Sequence, residues 1–304
     1  MKTIVAIFLL TFFTINSFSQ EKEIIYLWPG KVPGELKEKQ PPVVDTARND
    51  HKLRYNEVTN PNIAVLLPAP RKNKRAAIIV CPGGGYKQLY YQNEGIEIAA
   101  WLNELGYAAF ILQYRVPIKY EGALQDAQRA IRIVRENAKK WDLDPEKIGI
   151  MGFSAGGNLS ARACTNFNKR TYTPVDKTDD LSCRPSFAML VYPASLDKEH
   201  SASLAEKPGG NPAPSTQVSN ETPPFFIFAA EDDRVGPGTL VMASALRDFK
   251  IPVELHYVPT GGHGYALRPG NPAAETWPLL AEKWLTRLLS GSGYSLYSKE
   301  WVNN

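Results

Sequence analysis

The pentapeptide Gly152-Phe153-Ser154-Ala155-Gly156 is the first part of the sequence that could carry out chemistry. It matches the pattern G-x-S-x-G, its serine directly follows the apolar run 147–153, and it precedes a helix-like stretch, 157–164. In a strand–turn–helix setting the serine is held on a strained turn with its hydroxyl exposed, and glycines are needed because a Cβ would clash where the turn is tight. The pattern therefore predicts that Ser154 is a nucleophile.

A serine hydroxyl is a poor nucleophile unless a neighbouring base takes its proton. The chain has 4 histidines. His263 lies in a glycine-rich turn just beyond the last strand-like run, from which it could reach back over the sheet edge. His51 precedes the predicted sheet, His200 lies in a polar loop, and His256 lies within a predicted strand. We therefore predict that His263 is the base.

The third group of such a triad is a carboxylate, which fixes the tautomer of the imidazole and stabilises the imidazolium as it forms. In chain order it should lie between the serine and the histidine, after a strand. The apolar run 225–230 is followed by three acids, Glu231, Asp232 and Asp233. We favour Asp232, with Asp233 as the next alternative and Glu231 as the least suitable.

The glycine-rich segment 82–86 offers backbone amides where the reaction would need them. Acyl transfer builds negative charge on the carbonyl oxygen, and that charge needs preorganised hydrogen-bond donors. The segment follows the strand-like run 76–81, and three successive glycines leave its amides accessible. The second donor is expected to be the N–H of Ala155, directly after the nucleophile.

Alternating strands and helices must position these residues. The strand-like runs are short and continuously apolar, which is typical of strands buried on both faces; they are 76–81, 108–114, 147–153, 187–192, 225–230 and 252–258. Helical spacing appears between the runs, and the last helix is expected to begin at Pro278. This alternation predicts an α/β fold with a mostly parallel sheet. The polar segments 166–186 and 195–222 are expected to be long loops at its carboxyl edge.

Four motifs together resemble those of the α/β-hydrolases of the esterase/lipase superfamily. They are Pro82-Gly83-Gly84-Gly85-Tyr86, Gly152-Phe153-Ser154-Ala155-Gly156-Gly157, Asp232-Asp233-Arg234-Val235 and Gly262-His263-Gly264-Tyr265. More narrowly, residues 63–289 resemble the exported acetyl xylan esterase-like carbohydrate esterases. This resemblance implies an α/β-hydrolase fold with helices on both faces of the sheet and no large cap domain.

The resemblance also assigns site residues. The Asp-x-x-Val pattern of the family matches Asp232, and its oxyanion-hole glycines match Gly84 and Gly85. The chain departs from many relatives at Cys81-Pro82, where they have His-Gly before the glycines. That departure leaves open which amides face the substrate.

The activity implied by the resemblance is hydrolysis of small acyl esters, often acetyl groups on polysaccharides such as xylan, without a metal or other cofactor. Tyr86 and Tyr265 are candidates for packing against a sugar ring. An exported serine peptidase, a general small-acyl esterase or lipase, and a catalytically silent sugar-binding hydrolase fold remain alternatives. The histidines are isolated and the acidic triplet lacks metal-ligand spacing, so no metal site is predicted.

Composition narrows the function classes further. The net charge of +4 over 304 residues is spread along the chain, so nothing indicates a nucleic-acid partner. The 3 cysteines exclude a disulfide scaffold, although Cys164 and Cys183 flank a polar stretch and a bridge between them stays open.

The sequence divides into four segments. Residues 1–19 have a charged start, an apolar stretch and small residues before Gln20, which predicts a cleaved signal peptide and export to the periplasm or the medium. The mature chain would then carry no membrane anchor. An N-terminal arm (20–62), the hydrolase domain (63–289) and a polar tail (290–304) follow.

Overall fold

A computed structural model of the protein describes residues 23–47, 50–199 and 210–290. The predicted signal peptide and the tail beyond residue 290 lie outside the described residues. The strands are β1 (Glu23–Tyr26), β2 (Val43–Val44), β3 (Tyr55–Glu57), β4 (Asn62–Leu66), β5 (Ala77–Cys81), β6 (Ala108–Gln113), β7 (Ile148–Phe153), β8 (Ala188–Val191), β9 (Phe225–Ala230) and β10 (Val253–Val258). The helices are α1 (Glu97–Glu104), α2 (Tyr120–Glu136), α3 (Ala155–Thr165), α4 (Gly238–Asp248) and α5 (Pro272–Leu289).

Eight strands form one sheet in the order β1-β4-β6-β5-β7-β8-β9-β10. The pairs β1–β4 and β4–β6 are antiparallel, and the remaining pairs are parallel. Strands β2 and β3 form a separate antiparallel pair. The mostly parallel sheet predicted from the apolar runs is confirmed, and each run agrees with its strand to within one residue at either end.

Helices cover both faces of the sheet, as expected. In β5, Ile79 points into a cluster with residues of α2, α3 and α4, whereas Ile78 and Val80 point into a second cluster with residues of α1 and α5. All five residues of β5 are buried. Burying an isoleucine side chain stabilises the fold by about 1.5–3 kcal/mol, so a strand covered on both faces is apolar at every position.

The N-terminal arm is built into this sheet. Strand β1 pairs with β4 at the sheet edge, and Trp28, two residues beyond its end, is 1% exposed. The Trp28 indole Nε1 donates to Asp126 Oδ1 in α2 at 2.8 Å, and the same carboxylate accepts from Arg115 Nε at 2.9 Å. The arm is therefore tied to the helix layer as well as to the sheet.

Helix α5 begins at Pro272 and not at Pro278 as predicted. The side chain of Asn271 accepts hydrogen bonds from the amides of Ala273 and Ala274, which makes it the N-cap, and a proline at the first helical position fits because its missing N–H would have no partner there. Pro278 lies inside the helix. The sequence prediction missed the capping Asn271, which sets the start of the helix.

The segment 166–186 is also misplaced by the sequence prediction. Helix α3 leads the chain away from the carboxyl edge, and the segment packs along α2 before entering β8. Arg129 of α2 binds Asp176 at 2.5 Å and Asp179 at 3.0 Å. Its cysteine does not form the bridge considered above: Cys81, Cys164 and Cys183 are all free and buried.

Candidate active site

Ser154 lies on the sharp turn between β7 and α3, as the motif predicts. Its backbone has φ 51° and ψ −118°, an unfavourable region for a residue with a side chain, which costs about 1–3 kcal/mol. A Cβ on Gly152 would lie 2.0 Å from the Gly156 carbonyl oxygen, and one on Gly156 would lie 2.0 Å from that of Cys81. Both glycines are therefore required for strand, turn and helix to approach this closely.

His263 is within hydrogen-bond distance of the serine. Its Nε2 is 2.7 Å from Ser154 Oγ. The residue follows β10 on a turn between Gly262 and Gly264, whose φ values are 65° and 72°. The ring of Tyr192 packs edge-on against the imidazole at 5.2 Å between centroids. His256, by contrast, lies in β10 and contacts Glu254 Oε1 at 2.9 Å.

The carboxylate that contacts the histidine is Asp233, so the choice of Asp232 over Asp233 is wrong for this contact. Asp233 Oδ2 is 2.7 Å from His263 Nδ1, and its side chain is 2% exposed. Asp232 instead accepts from the amides of Gly261 at 3.2 Å and Gly262 at 2.7 Å. Adjacent residues after a strand point in different directions, and sequence alone does not say which of them faces inward.

The turn after β5 presents unpaired amides beside Ser154. Gly83 N donates to Glu94 Oε2 at 2.7 Å, whereas the amides of Gly84 and Gly85 donate to no group within the described ranges. Gly84 has φ 128° and Gly85 has φ 65°. The amide of Ala155 opens α3 and, as a first-turn N–H, has no partner within its helix. Within the described residues, the three predicted donors thus have no acceptor and can bind a ligand oxygen.

A cavity of about 710 Å³ contains Ser154 and His263. Gly84, Gly85 and Tyr265 are among the residues that line it, although Tyr265 is only 1% exposed, so its role in binding a sugar stays a prediction. Polar and charged side chains form much of the remaining wall; among them are Lys52, Gln88, Tyr90, Asn93 and Arg268.

Tyr86 is not part of this wall, contrary to its proposed role in binding a sugar. Its side chain is fully buried, packs between the rings of Tyr114 and Tyr120, and donates its hydroxyl to Asn158 Oδ1 at 3.0 Å. A positive φ of 55° turns the side chain away from the cavity and into the core. The residue supports the turn and does not line it.

Glu94 and Tyr192 lie at the site although sequence reasoning did not select them. Glu94 is 5% exposed and Tyr192 is fully buried, and the Tyr192 hydroxyl donates to Glu94 Oε1 at 2.9 Å. The available signal was weak: an acidic residue in a helical segment is ordinarily solvated, and only the fold brings this one to Gly83, 11 residues earlier.

The described residues form neither a cluster of metal ligands nor a membrane-spanning helix. Across the described ranges, no group of three or more histidine, cysteine, aspartate or glutamate side chains is arranged to bind a metal ion. Within those same residues, no helix is long and apolar enough to cross a membrane.

Comparison with known proteins agrees with this geometry. The BD-FAE family profile matches residues 63–191. The acetyl ester-xyloside bifunctional hydrolase of Caldicellulosiruptor lactoaceticus superposes with a TM-score of 0.68 at 34% identity, covering 86% of this chain and 94% of that one. The turn that carries Ser154, the order of the strands and these matches agree. The chain belongs to the esterase-like α/β-hydrolases of the esterase/lipase superfamily.

Two curated relatives share 34% identity with part of the chain. One is an acetylxylan esterase of Xylanibacter ruminicola, and the match over 214 residues covers 64% of this chain and 42% of that protein. The other is the endo-1,4-beta-xylanase B of Butyrivibrio fibrisolvens, and the match over 209 residues covers 63% of this chain and 32% of that protein. The chain thus spans less than half the length of either relative.

Proposed function

We propose that the protein is a carboxylic-ester hydrolase that removes acetyl or other small acyl groups from polysaccharides or oligosaccharides such as acetylated xylan. The observation that carries the proposal is the continuous pair of contacts from Ser154 through His263 to Asp233, each 2.7 Å long. This is the arrangement in which an imidazole takes the proton of a serine hydroxyl while a buried carboxylate stabilises the imidazolium.

The reaction would run through an acyl-enzyme. Ser154 Oγ attacks the ester carbonyl carbon, and His263 Nε2 takes the hydroxyl proton. The amides of Gly84, Gly85 and Ala155 stabilise the oxyanion, and His263 then protonates the departing sugar alcohol. Water, deprotonated by the same imidazole, attacks the acyl carbon and releases the acid. Each proton that leaves a nucleophile returns to a leaving group, so no cofactor is required.

The residues that line the cavity favour a substrate with a polar alcohol and a short acyl group. Lysine, arginine, asparagine and glutamine side chains provide hydrogen-bond donors of the kind that sugar hydroxyls accept. A long acyl chain would instead need an extended apolar surface to leave water. The names of the acetylxylan esterase and of the bifunctional xyloside hydrolase point to the same substrate class. Export through the segment 1–19 would bring the enzyme to such glycans.

Replacing the nucleophile tests the proposal. Ser154→Ala should lower kcat on p-nitrophenyl acetate by about 10⁴-fold or more, with the far-UV circular dichroism spectrum unchanged. Near-normal turnover would refute the mechanism. Substrate class is tested separately, by acetate release from acetylated xylan, mannan and pectin beside hydrolysis of p-nitrophenyl acetate, butyrate and octanoate. A preference for octanoate with no acetate from any glycan would refute the carbohydrate-esterase assignment alone.

A further inference from the structure

The buried carboxylate of Glu94 is not used by the reaction described above, yet it lies against the catalytic turn. Glu94 belongs to the helical turn that precedes α1 and is 5% exposed. Its Oε2 accepts from Gly83 N at 2.7 Å, and its Oε1 accepts from the Tyr192 hydroxyl at 2.9 Å. Burying a carboxylate is costly unless both oxygens are hydrogen-bonded, and here both are.

The turn that Glu94 holds has an unusual backbone. Gly84, Gly85 and Tyr86 all have positive φ values, at 128°, 65° and 55°. Such a run is not a preferred conformation of the free chain, so surrounding contacts must select it. The Gly83 carbonyl accepts from Tyr90 N at 3.0 Å, and the Gly83 amide is directed inward to Glu94. Together these bonds fix both peptide planes of Gly83.

Fixing the Gly83 planes determines where the following amides point. With the Gly83 N–H turned toward the core, the next two residues carry the chain round so that the amides of Gly84 and Gly85 have no acceptor within the part of the chain that is described. Without the carboxylate, the Gly83 amide would itself need a partner, and the turn could relax toward a conformation that directs other amides at the cavity.

The other oxygen of Glu94 extends the contact to the histidine turn. The Tyr192 hydroxyl, which donates to Glu94, also accepts from Ala266 N at 3.1 Å, three residues beyond His263. The ring of Tyr192 packs against the imidazole at 5.2 Å. One carboxylate thus connects the turn that would hold the oxyanion to the turn that carries the base.

We propose that Glu94 is a positioning residue for acyl transfer: its hydrogen bond from Gly83 orients the oxyanion-binding amides, and its bond from Tyr192 holds that turn in register with His263. The role rests on the proposed esterase function. Burial raises the pKa of Glu94, while the bonds from Gly83 and Tyr192 and the nearby His263 oppose that rise. The acceptor role needs no particular charge, because a neutral carbonyl oxygen can also receive the Gly83 amide.

Two conservative variants separate positioning from charge. In Glu94→Gln the amide oxygen can accept from Gly83 N and the amide nitrogen can donate to the Tyr192 oxygen, so geometry is kept and charge is lost. In Glu94→Asp the charge is kept, but the shorter side chain cannot reach Gly83. We expect Gln to keep kcat on p-nitrophenyl acetate within about tenfold, and Asp to lower it by about 10²–10³-fold, which is the effect of losing one oxyanion donor. Higher activity of Asp than of Gln would overturn the proposal.

The inhibition constant of a trifluoromethyl ketone would not change if Glu94 had a structural role only, so it tests the positioning role. Its carbonyl carbon bonds to Ser154 Oγ, the hydroxyl proton passes to His263, and the negative oxygen occupies the position of the oxyanion. In Glu94→Asp the inhibition constant should rise by the same factor by which kcat/KM falls, with KM within about threefold of the wild-type value. An unchanged inhibition constant beside a reduced kcat/KM would contradict the role.

Asp179 offers a matched control far from the catalytic turn. It is also a buried carboxylate that accepts from one tyrosine hydroxyl, that of Tyr172 at 2.6 Å, and from one amide, that of Val175 at 2.9 Å; it differs from Glu94 in pairing with Arg129 at 3.0 Å as well. Asp179→Asn should lower the thermal midpoint yet keep kcat within about twofold of the wild-type value. Equal losses of kcat in Asp179→Asn and Glu94→Asp would make the Glu94 effect one of stability, against the proposal.

The outcome for Ser154→Ala distinguishes this inference from the function on which it rests. If Ser154→Ala keeps its turnover, the proposed function itself fails. If Ser154→Ala is inactive while Glu94→Asp has wild-type kcat, only the positioning role fails.

Discussion

Substitution can test whether Asp233, and not Asp232, is the carboxylate that acts on His263. Asp233→Asn places an amide group where the carboxylate contacts His263 Nδ1 at 2.7 Å. If its oxygen stays bonded to Val235 N, as Asp233 Oδ1 is at 3.1 Å, its NH₂ faces the imidazole. The imidazole must then carry its proton on Nε2, where it cannot accept the Ser154 proton. We expect kcat to fall by about 10³–10⁴-fold, since this tautomer error has that size in a serine protease triad.

Asp232→Asn should have a much smaller effect. The Asn oxygen can still accept the shorter bond, from Gly262 N at 2.7 Å, and only the bond from Gly261 N at 3.2 Å is lost. One neutral hydrogen bond contributes about 1 kcal/mol, and loosening of the histidine turn by that amount would cost about fivefold in kcat.

The assay is kcat on p-nitrophenyl acetate for both variants, with circular dichroism as the check on folding. The two expected losses differ by at least about 10²-fold. A loss in Asp232→Asn equal to or greater than that in Asp233→Asn would refute the assignment and restore the one favoured by the Asp-x-x-Val pattern.

Two other predictions concern the glycine turn and acid stability. Gly84→Ala should lower kcat by about 10²–10³-fold, because its Cβ would lie 2.1 Å from the Gln88 carbonyl oxygen and displace the turn. Gly85→Ala, whose Cβ meets nothing within 4 Å but whose φ of 65° strains an alanine, should lose less, and wild-type kcat in Gly84→Ala would count against the oxyanion assignment. Burial pushes the pKa of Asp179 up, but bonds from Tyr172, Val175 and Arg129 outweigh it and hold the pKa below its ordinary value. Its ionised form therefore stabilises the fold above about pH 4, the ordinary range, and this stability is lost as pH falls through the lowered pKa. Urea unfolding should show the wild-type advantage over Asp179→Asn shrinking below pH 4, and a constant difference would contradict this.

Much of the fold follows from the sequence because burial on both faces leaves a local signature. Strand β9 reads as apolar at every position, and its bounds were predicted without error. The turn that carries Ser154 is only partly local: Gly152 is required by its contact with Gly156, whereas Gly156 is required by its close approach to Cys81 of β5. The G-x-S-x-G pattern nevertheless lies within five residues, so the sequence alone indicates the turn.

The sequence could not show which way a side chain points or which residues that lie apart in sequence come into contact. Asp232 and Asp233 are both acids after the same strand, and only the packing of the histidine turn decides that the second one faces inward. Tyr86 was expected to line the cavity, but its positive φ turns the ring into the core. Glu94 reaches Gly83 only through the fold of the turn before α1, and no spacing rule marks it.

The position of β10 has a consequence for how the protein would lose function. Strand β10 is the last strand of the sheet, pairs only with β9 among the described strands, and is half-buried along its whole length. Ser154, the proposed nucleophile, follows β7, well inside the sheet, whereas His263, the proposed base, follows this outermost strand. Edge elements open at a lower free energy than the core, so separation of His263 from Ser154 needs only local fraying. The proposed activity would therefore be lost when this edge of the sheet opens, whereas loss of the fold requires opening of the buried strands at its centre.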